Sequence, residues 1–261
     1  MPVIFIGHGS PMNMVQDNSY TRDLARLAGS IPRPEAILVI SAHWLTRGSF
    51  VTGNDRPETI HDFYGFPKEL YEVKYPSPGA PELAETIART VPKGSVKTSL
   101  EWGFDHASYA VLRHMYPSAD IPVLEMSLDY MFDDPRPRPL EYHYKLAREL
   151  AFLREKKVLI LGSGNIVHNL GMIDFEDVEA EPFKWAAEFD KWVKKNLVKG
   201  DHESLFDPGK AGEAGELSVP SLDHYLPMIY AIGLKKKDEA LTFTHEGIQN
   251  GSISMRCFRI G

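Results

Sequence analysis

Aliphatic runs at 3–6, 36–40, 122–127 and 157–161 are each bounded by Gly, Ser or Pro. Such short, nearly unbroken apolar runs describe strands buried on both faces, as in a parallel sheet covered by helices. Weaker strand signals lie at 96–98, 241–244 and 252–258. Between the runs the period changes. Leu146, Leu150 and Leu153 predict a helix over 140–153, and Trp185, Phe189, Trp192 and Leu197 predict one over 183–197. Pro81-Glu82 has the chemistry of a first helical turn and predicts a helix over 81–90. Strands alternating with helices give an α/β class: a single domain over 1–261 with a mainly parallel central sheet flanked by helices, and an antiparallel end from the C-terminal strands. The segments 53–79 and 199–220 are expected to be long loops walling a pocket above the sheet rim.

Charge and cysteine content then remove several function classes. A net charge of -7 without a dense Lys/Arg cluster leaves no basic footprint for nucleic acid. The run Lys235-Lys236-Lys237 is followed by Asp238 and Glu239 and reads as a solvated loop. Cys257 is the single cysteine, so neither an intrachain disulfide nor a thiolate metal site can be built. The first residues carry no basic leader, and no apolar run approaches the ~18 residues that span a bilayer. A cytoplasmic protein without a membrane partner is expected.

Three of the strand signals lead to a histidine: Gly7-His8-Gly9, Ser41-Ala42-His43-Trp44, and Gly162-Ser163-Gly164-Asn165-Ile166-Val167-His168. Ligands of open α/β sheets bind outside the carboxyl ends of the strands. Imidazole is the commonest protein metal ligand, so histidines on one rim point to a mononuclear metal site with nitrogen and oxygen donors. His224 stands at the start of an apolar helical pattern, with Ser221 or Asp223 as candidate caps. Trp102-Gly103-Phe104-Asp105-His106 sets a carboxylate beside an imidazole, an arrangement that can fix the ring's tautomer. His61-Asp62-Phe63-Tyr64 is an aromatic loop, read either as a contact for a planar substrate or as packing. Trp44 is read either as a pocket wall or as core. His114, His143, His202 and His245 are expected on the surface or on helix faces. No Gly-x-Ser-x-Gly elbow or His-Glu-x-x-His helix is present, and Gly162–Asn165 lacks the Lys-Ser/Thr of a phosphate loop.

At Gly7-His8-Gly9-Ser10-Pro11, Ser41-Ala42-His43-Trp44, Gly103-Phe104-Asp105-His106, Gly164-Asn165-Ile166-Val167-His168-Asn169 and His224-Tyr225-Leu226-Pro227, the chain resembles the class III extradiol ring-cleaving dioxygenases, in their 4,5-DOPA dioxygenase branch. The resemblance runs from Met1 to Gly261. It implies an α/β enzyme that inserts both atoms of O2 into a small aromatic catechol at one divalent metal. By that likeness His8, His43 and His224 are metal ligands, His168 is a fourth ligand or the active-site base, and His106 donates a hydrogen bond to bound oxygen. The wider class holds ferrous iron with two histidines and a glutamate, whereas His224 stands at the third position here. Fe(II) is expected for activity because Zn(II), the alternative bound ion, has no redox change. Two competing readings are a zinc-dependent hydrolase, for which Asp105 or Glu125 would act on water, and a non-catalytic metal-binding protein of the same fold.

Overall fold

The fold is described from a computed structural model covering residues 1–92 and 94–261. The strands are β1 (Val3–Gly7), β2 (Ala36–Thr46), β3 (Ser49–Thr52), β4 (Val96–Ser99), β5 (Val123–Asp129), β6 (Val158–Gly164), β7 (Leu241–His245), β8 (Ile248–Gln249), β9 (Ile253–Ser254) and β10 (Cys257–Ile260). Eight of them form one sheet in the order β4-β3-β5-β2-β6-β1-β10-β7. Its centre, β5-β2-β6-β1, is parallel throughout. The antiparallel pairs lie outside that centre, where β10 joins β1 and β7 joins β10, and where β3 meets β5. β8 and β9 form a separate antiparallel pair.

The helices are α1 (Ser19–Gly29), α2 (Lys68–Glu72), α3 (Pro81–Thr90), α4 (His106–Met115), α5 (Leu140–Glu149), α6 (Phe152–Glu155), α7 (Lys184–Lys199), α8 (His202–Leu205), α9 (Glu213–Ser218) and α10 (Leu226–Gly233). Alternation along each buried strand divides the core in two. Val3, Phe5, Leu38, Ile40 and Ile160 face α3, α5, α7 and α10. Ile4, Ile6, Ile37, Val39, Leu159 and Leu161 face α1 and α4. Both faces are therefore covered, which is why the central runs are apolar at every position.

Several expectations shift at their edges. The helix expected over 140–153 breaks after Glu149 and resumes as α6. The strand expected over 252–258 divides into β9 and β10 around Met255 and Arg256. The 199–220 segment is not a plain loop but carries α8 and α9, and 53–79 contains α2. β2 continues past Ile40 to Thr46, so His43 lies within a strand. Among the described residues no helix is long and apolar enough to cross a membrane.

Candidate metal centre

The parallel pairing brings the histidines together. Gly7 of β1 sits opposite Gly164 of β6, and Ser41 of β2 sits opposite Ser163. His8 and His43 thus leave neighbouring strands at the same edge, His43 from a stretch where the β2–β5 register shifts between Ile40 and Leu45. His168 follows β6, its amide held by the Ser218 carbonyl at 3.0 Å. His106 is the first residue of α4. His224 arrives just before α10, whose approach to β6 depends on two glycines: a Cβ at Gly164 would lie 2.2 Å from the His224 carbonyl oxygen, and one at Gly162 would lie 2.4 Å from that of Pro227.

Four of the rings form one cluster, and His168 joins it through His224. His8 lies 5.2 Å from His43, 5.5 Å from His106 and 5.3 Å from His224, measured between ring centroids. His43 is 4.1 Å from His106 and 5.0 Å from His224. His168 stacks on His224 at 3.5 Å with 6° between the planes.

The hydrogen bonds fix which nitrogen of each ring is free. Ser163 Oγ gives its proton to the Ala107 carbonyl, so the contact at 3.1 Å from His8 Nδ1 is one the ring donates. His43 Nδ1 lies 3.1 Å from Asp62 Oδ2, His106 Nδ1 lies 2.9 Å from the same oxygen, and His224 Nδ1 donates to Asp223 Oδ2. In each ring Nε2 is left with its lone pair. The Nε2 atoms of His8 and His43 are 3.3 Å apart. Two ring nitrogens at that distance share either a proton or a metal ion, and neighbouring ligands about 2.0–2.2 Å from one ion lie roughly 3.0–3.4 Å apart. The donor set therefore fits a divalent metal.

Electrostatics favour the neutral, ligating form at His8, His106, His168 and His224, and not at His43. Burial, reinforced by the neighbouring histidines, pushes His8 well below its ordinary value, and His168 likewise. Burial also lowers His106 and His224, each against the pull of its carboxylate partner. At His43 burial acts downward, but the hydrogen bond and charge of Asp62 carry the net shift upward. Burial alone would raise the Asp62 and Asp223 carboxyls, yet their imidazole partners hold both far below the usual carboxylate range.

The carboxylates are not where sequence adjacency put them. Asp105 does not bond His106. It caps α4 through the Ala107 amide and accepts from Ser41 Oγ at 2.6 Å and Trp102 Nε1 at 3.3 Å. Asp62 is the partner of His106, from a loop read only as aromatic packing or substrate contact. Neither Ser221 nor Asp223 caps α10, and Asp223 holds His224 instead. Glu125 is buried and spends its oxygens on the Asp105 amide and Trp102 Nε1, so neither it nor Asp105 is disposed to act on water as a hydrolase requires. Burial pushes both carboxyls up, Glu125 further than Asp105. Trp44 is buried and stacked on Trp102 at 5.6 Å and 4°, which makes it core. His143, expected on a surface or helix face, is fully buried; the stripe of α5 it occupies turns inward against Tyr230 of α10.

The model of the family described as the catalytic LigB subunit of aromatic ring-opening dioxygenase matches residues 2–253. The chain belongs to that family. This member of the aromatic ring-opening dioxygenases is similar to the 4,5-DOPA dioxygenase extradiol of Escherichia coli (strain K12), with 43% identity over 268 residues that cover 100% of this chain and 95% of the relative. It is 35% identical over 262 residues to the 4,5-DOPA dioxygenase extradiol of Beta vulgaris, covering 98% of this chain and 94% of that one. A crystal structure of an uncharacterized protein from Escherichia coli K12 matches with a TM-score of 0.84 and 39% identity, covering 100% of both chains. The resemblance carried by the strand-end histidines is borne out, and the chain is an extradiol ring-opening dioxygenase.

Proposed function

We propose that the ring this dioxygenase opens is that of a DOPA-like catechol, at one divalent metal held by His8, His43 and His224. The observation that supports this most is the convergence of imidazoles whose Nδ1 atoms are all engaged outward, leaving Nε2 lone pairs of His8 and His43 3.3 Å apart. When bound, Fe(II) supplies the open positions and the redox change that Zn(II) lacks. The protein's own residues do the rest. His168 has a ring nitrogen without a hydrogen-bond partner among the described residues, and burial beside His224 keeps it neutral, so it takes the catechol hydroxyl proton at that nitrogen. His106, aimed by Asp62, presents Nε2 toward the same space and would donate from it to the oxygen atoms being inserted once that nitrogen has taken up a proton, with Asp62 balancing the charge.

His168→Ala is expected to keep metal and lose turnover by about 10²–10⁴-fold, the usual worth of a general base. His8→Ala is expected to lose the metal itself. Equal metal loss in both variants makes His168 a ligand and removes the base assignment. Anaerobic reconstitution of metal-free protein with Fe(II) or with Zn(II), followed by air and DOPA, tests the substrate and the metal together. Yellow ring-opened product with Fe(II) alone is expected, and no product from several catechols with either ion would overturn the assignment.

A further inference from the structure

One carboxylate serves two imidazoles in this centre. Asp62 Oδ2 lies 3.1 Å from His43 Nδ1 and 2.9 Å from His106 Nδ1, while Asp62 Oδ1 accepts the His106 backbone N–H at 2.9 Å. Resting on the metal-centre reading above, we infer that Asp62 is a positioning residue that fixes both rings as Nδ1–H tautomers, so that His43 turns its Nε2 to the metal and His106 turns its Nε2 into the space beside it.

The loop that carries Asp62 is built to hold it still. The Phe104 amide donates to the Glu58 carbonyl at 2.7 Å, and the Ile60 amide donates to the Phe104 carbonyl at 2.7 Å. The two segments run so close at Gly103 that a Cβ there would lie 2.1 Å from the Glu58 carbonyl oxygen. His61 is tied to the Val73 carbonyl at 3.0 Å, and Phe63 packs edge-on against His106 at 5.6 Å. Asp62 is thus strapped to the segment that begins α4, and its carboxylate reaches both the first residue of that helix and His43 of β2. A ring nitrogen facing a carboxylate keeps its proton, which forces the lone pair onto the other nitrogen. The His43–His106 centroid separation of 4.1 Å follows from both rings converging on one oxygen.

Asp62→Asn separates this role from packing. An Asn that keeps its oxygen on the His106 amide turns its NH2 toward both rings, and each ring nitrogen facing that donor must give up its proton. A flipped Asn instead sets a donor against the His106 amide. In metal-free D62N the nitrogen-15 imidazole spectrum should show His43 and His106 moving from Nδ1–H to Nε2–H. Zn(II) affinity, measured by chelator competition, should fall by ~10–100-fold, the usual effect of losing an outer partner of a ligating histidine. Retention of the Nδ1–H signals with affinity within about threefold of the parent overturns the inference. Should D62N not fold, the wild-type spectrum decides: Nε2–H at His43 in metal-free protein overturns it with no variant. Neither readout depends on ring cleavage. A protein that shows these tautomers and binds Zn(II) but opens no catechol would therefore count against the substrate assignment while supporting the role of Asp62.

Discussion

His143 has no exposed surface, and its Nδ1 lies 3.1 Å from the Tyr230 hydroxyl. Burial pushes it down to about 4. An unfolded chain takes up this proton near pH 6.5 and the folded one only near 4, so between those values the unfolded state binds more protons. Stability from this group is complete above about pH 6.5 and is lost as pH falls toward 4, by up to about 3 kcal/mol. Urea unfolding followed through that window should show the loss, and His143→Gln should make it shallower by this group's share while the buried site histidines keep theirs; a parallel slope in the variant would assign the effect elsewhere. His143 sits three residues before Leu146 and seven before Leu150, on the stripe that predicted the helix, so spacing alone carried the signal of its burial. His8, His43 and His168 were legible because each follows an aliphatic run that ends at one sheet edge, whereas His106 and His224 entered the candidate site only through the resemblance. The carboxylate partners were not legible. Asp62 is 44 residues from His106, and tertiary placement, not adjacency, chose it over Asp105.

At the next scale up, the end of β6 meets the start of α10 with no side chain of its own at Gly162 and Gly164, and His224 takes its position from that contact. Gly164→Ala sets a Cβ 2.2 Å from the His224 carbonyl, so either the strand or the start of α10 must shift by roughly an ångström or more. Metal affinity is expected to drop by at least about tenfold, on the scale of losing a ligand's support. Gly29→Ala, at the end of α1 where nothing lies within 4 Å, is the control and should leave affinity unchanged. Chelator competition on the two variants checks both, and equal affinities would mean that α10 yields without moving the imidazole. Elements with one plain pattern were readable: β1, β6, α3 and α7 lie close to their expected ranges, while β2 begins where expected and runs on to Thr46. α4 was not, because nearly every residue from His106 to Met115 is buried and no polar face marks a helical repeat. β3 was missed because Ser49 and Thr52 interrupt its short apolar pattern.

For the whole molecule, the α/β class followed from alternating strand and helix patterns, but strand order did not, since neighbours in the sheet are set by contacts far apart in sequence. The C-terminal strands are fastened to α7 by ions. Asp190, accepting from Ser254 Oγ at 2.7 Å, pairs with the buried guanidinium of Arg256, which also reaches Glu246 and lies 4.9 Å from the centre of the Phe243 ring. Asp190→Ala strands much of that charge and is expected to cost about 3 kcal/mol, read from urea or thermal unfolding. A loss below about 1 kcal/mol would show that Glu246 suffices, as exposed partners rarely do. The position of β1 has a further consequence. It lies between β6 and β10, so β1 is flanked only by strands made much later than itself. His8 must wait for β6 to fix its edge, and the centre proposed for it lacks His224 until the chain has grown past that residue. A nascent chain halted before α10 therefore offers an ion at most part of the ligand set, and loading with metal must follow the making of His224.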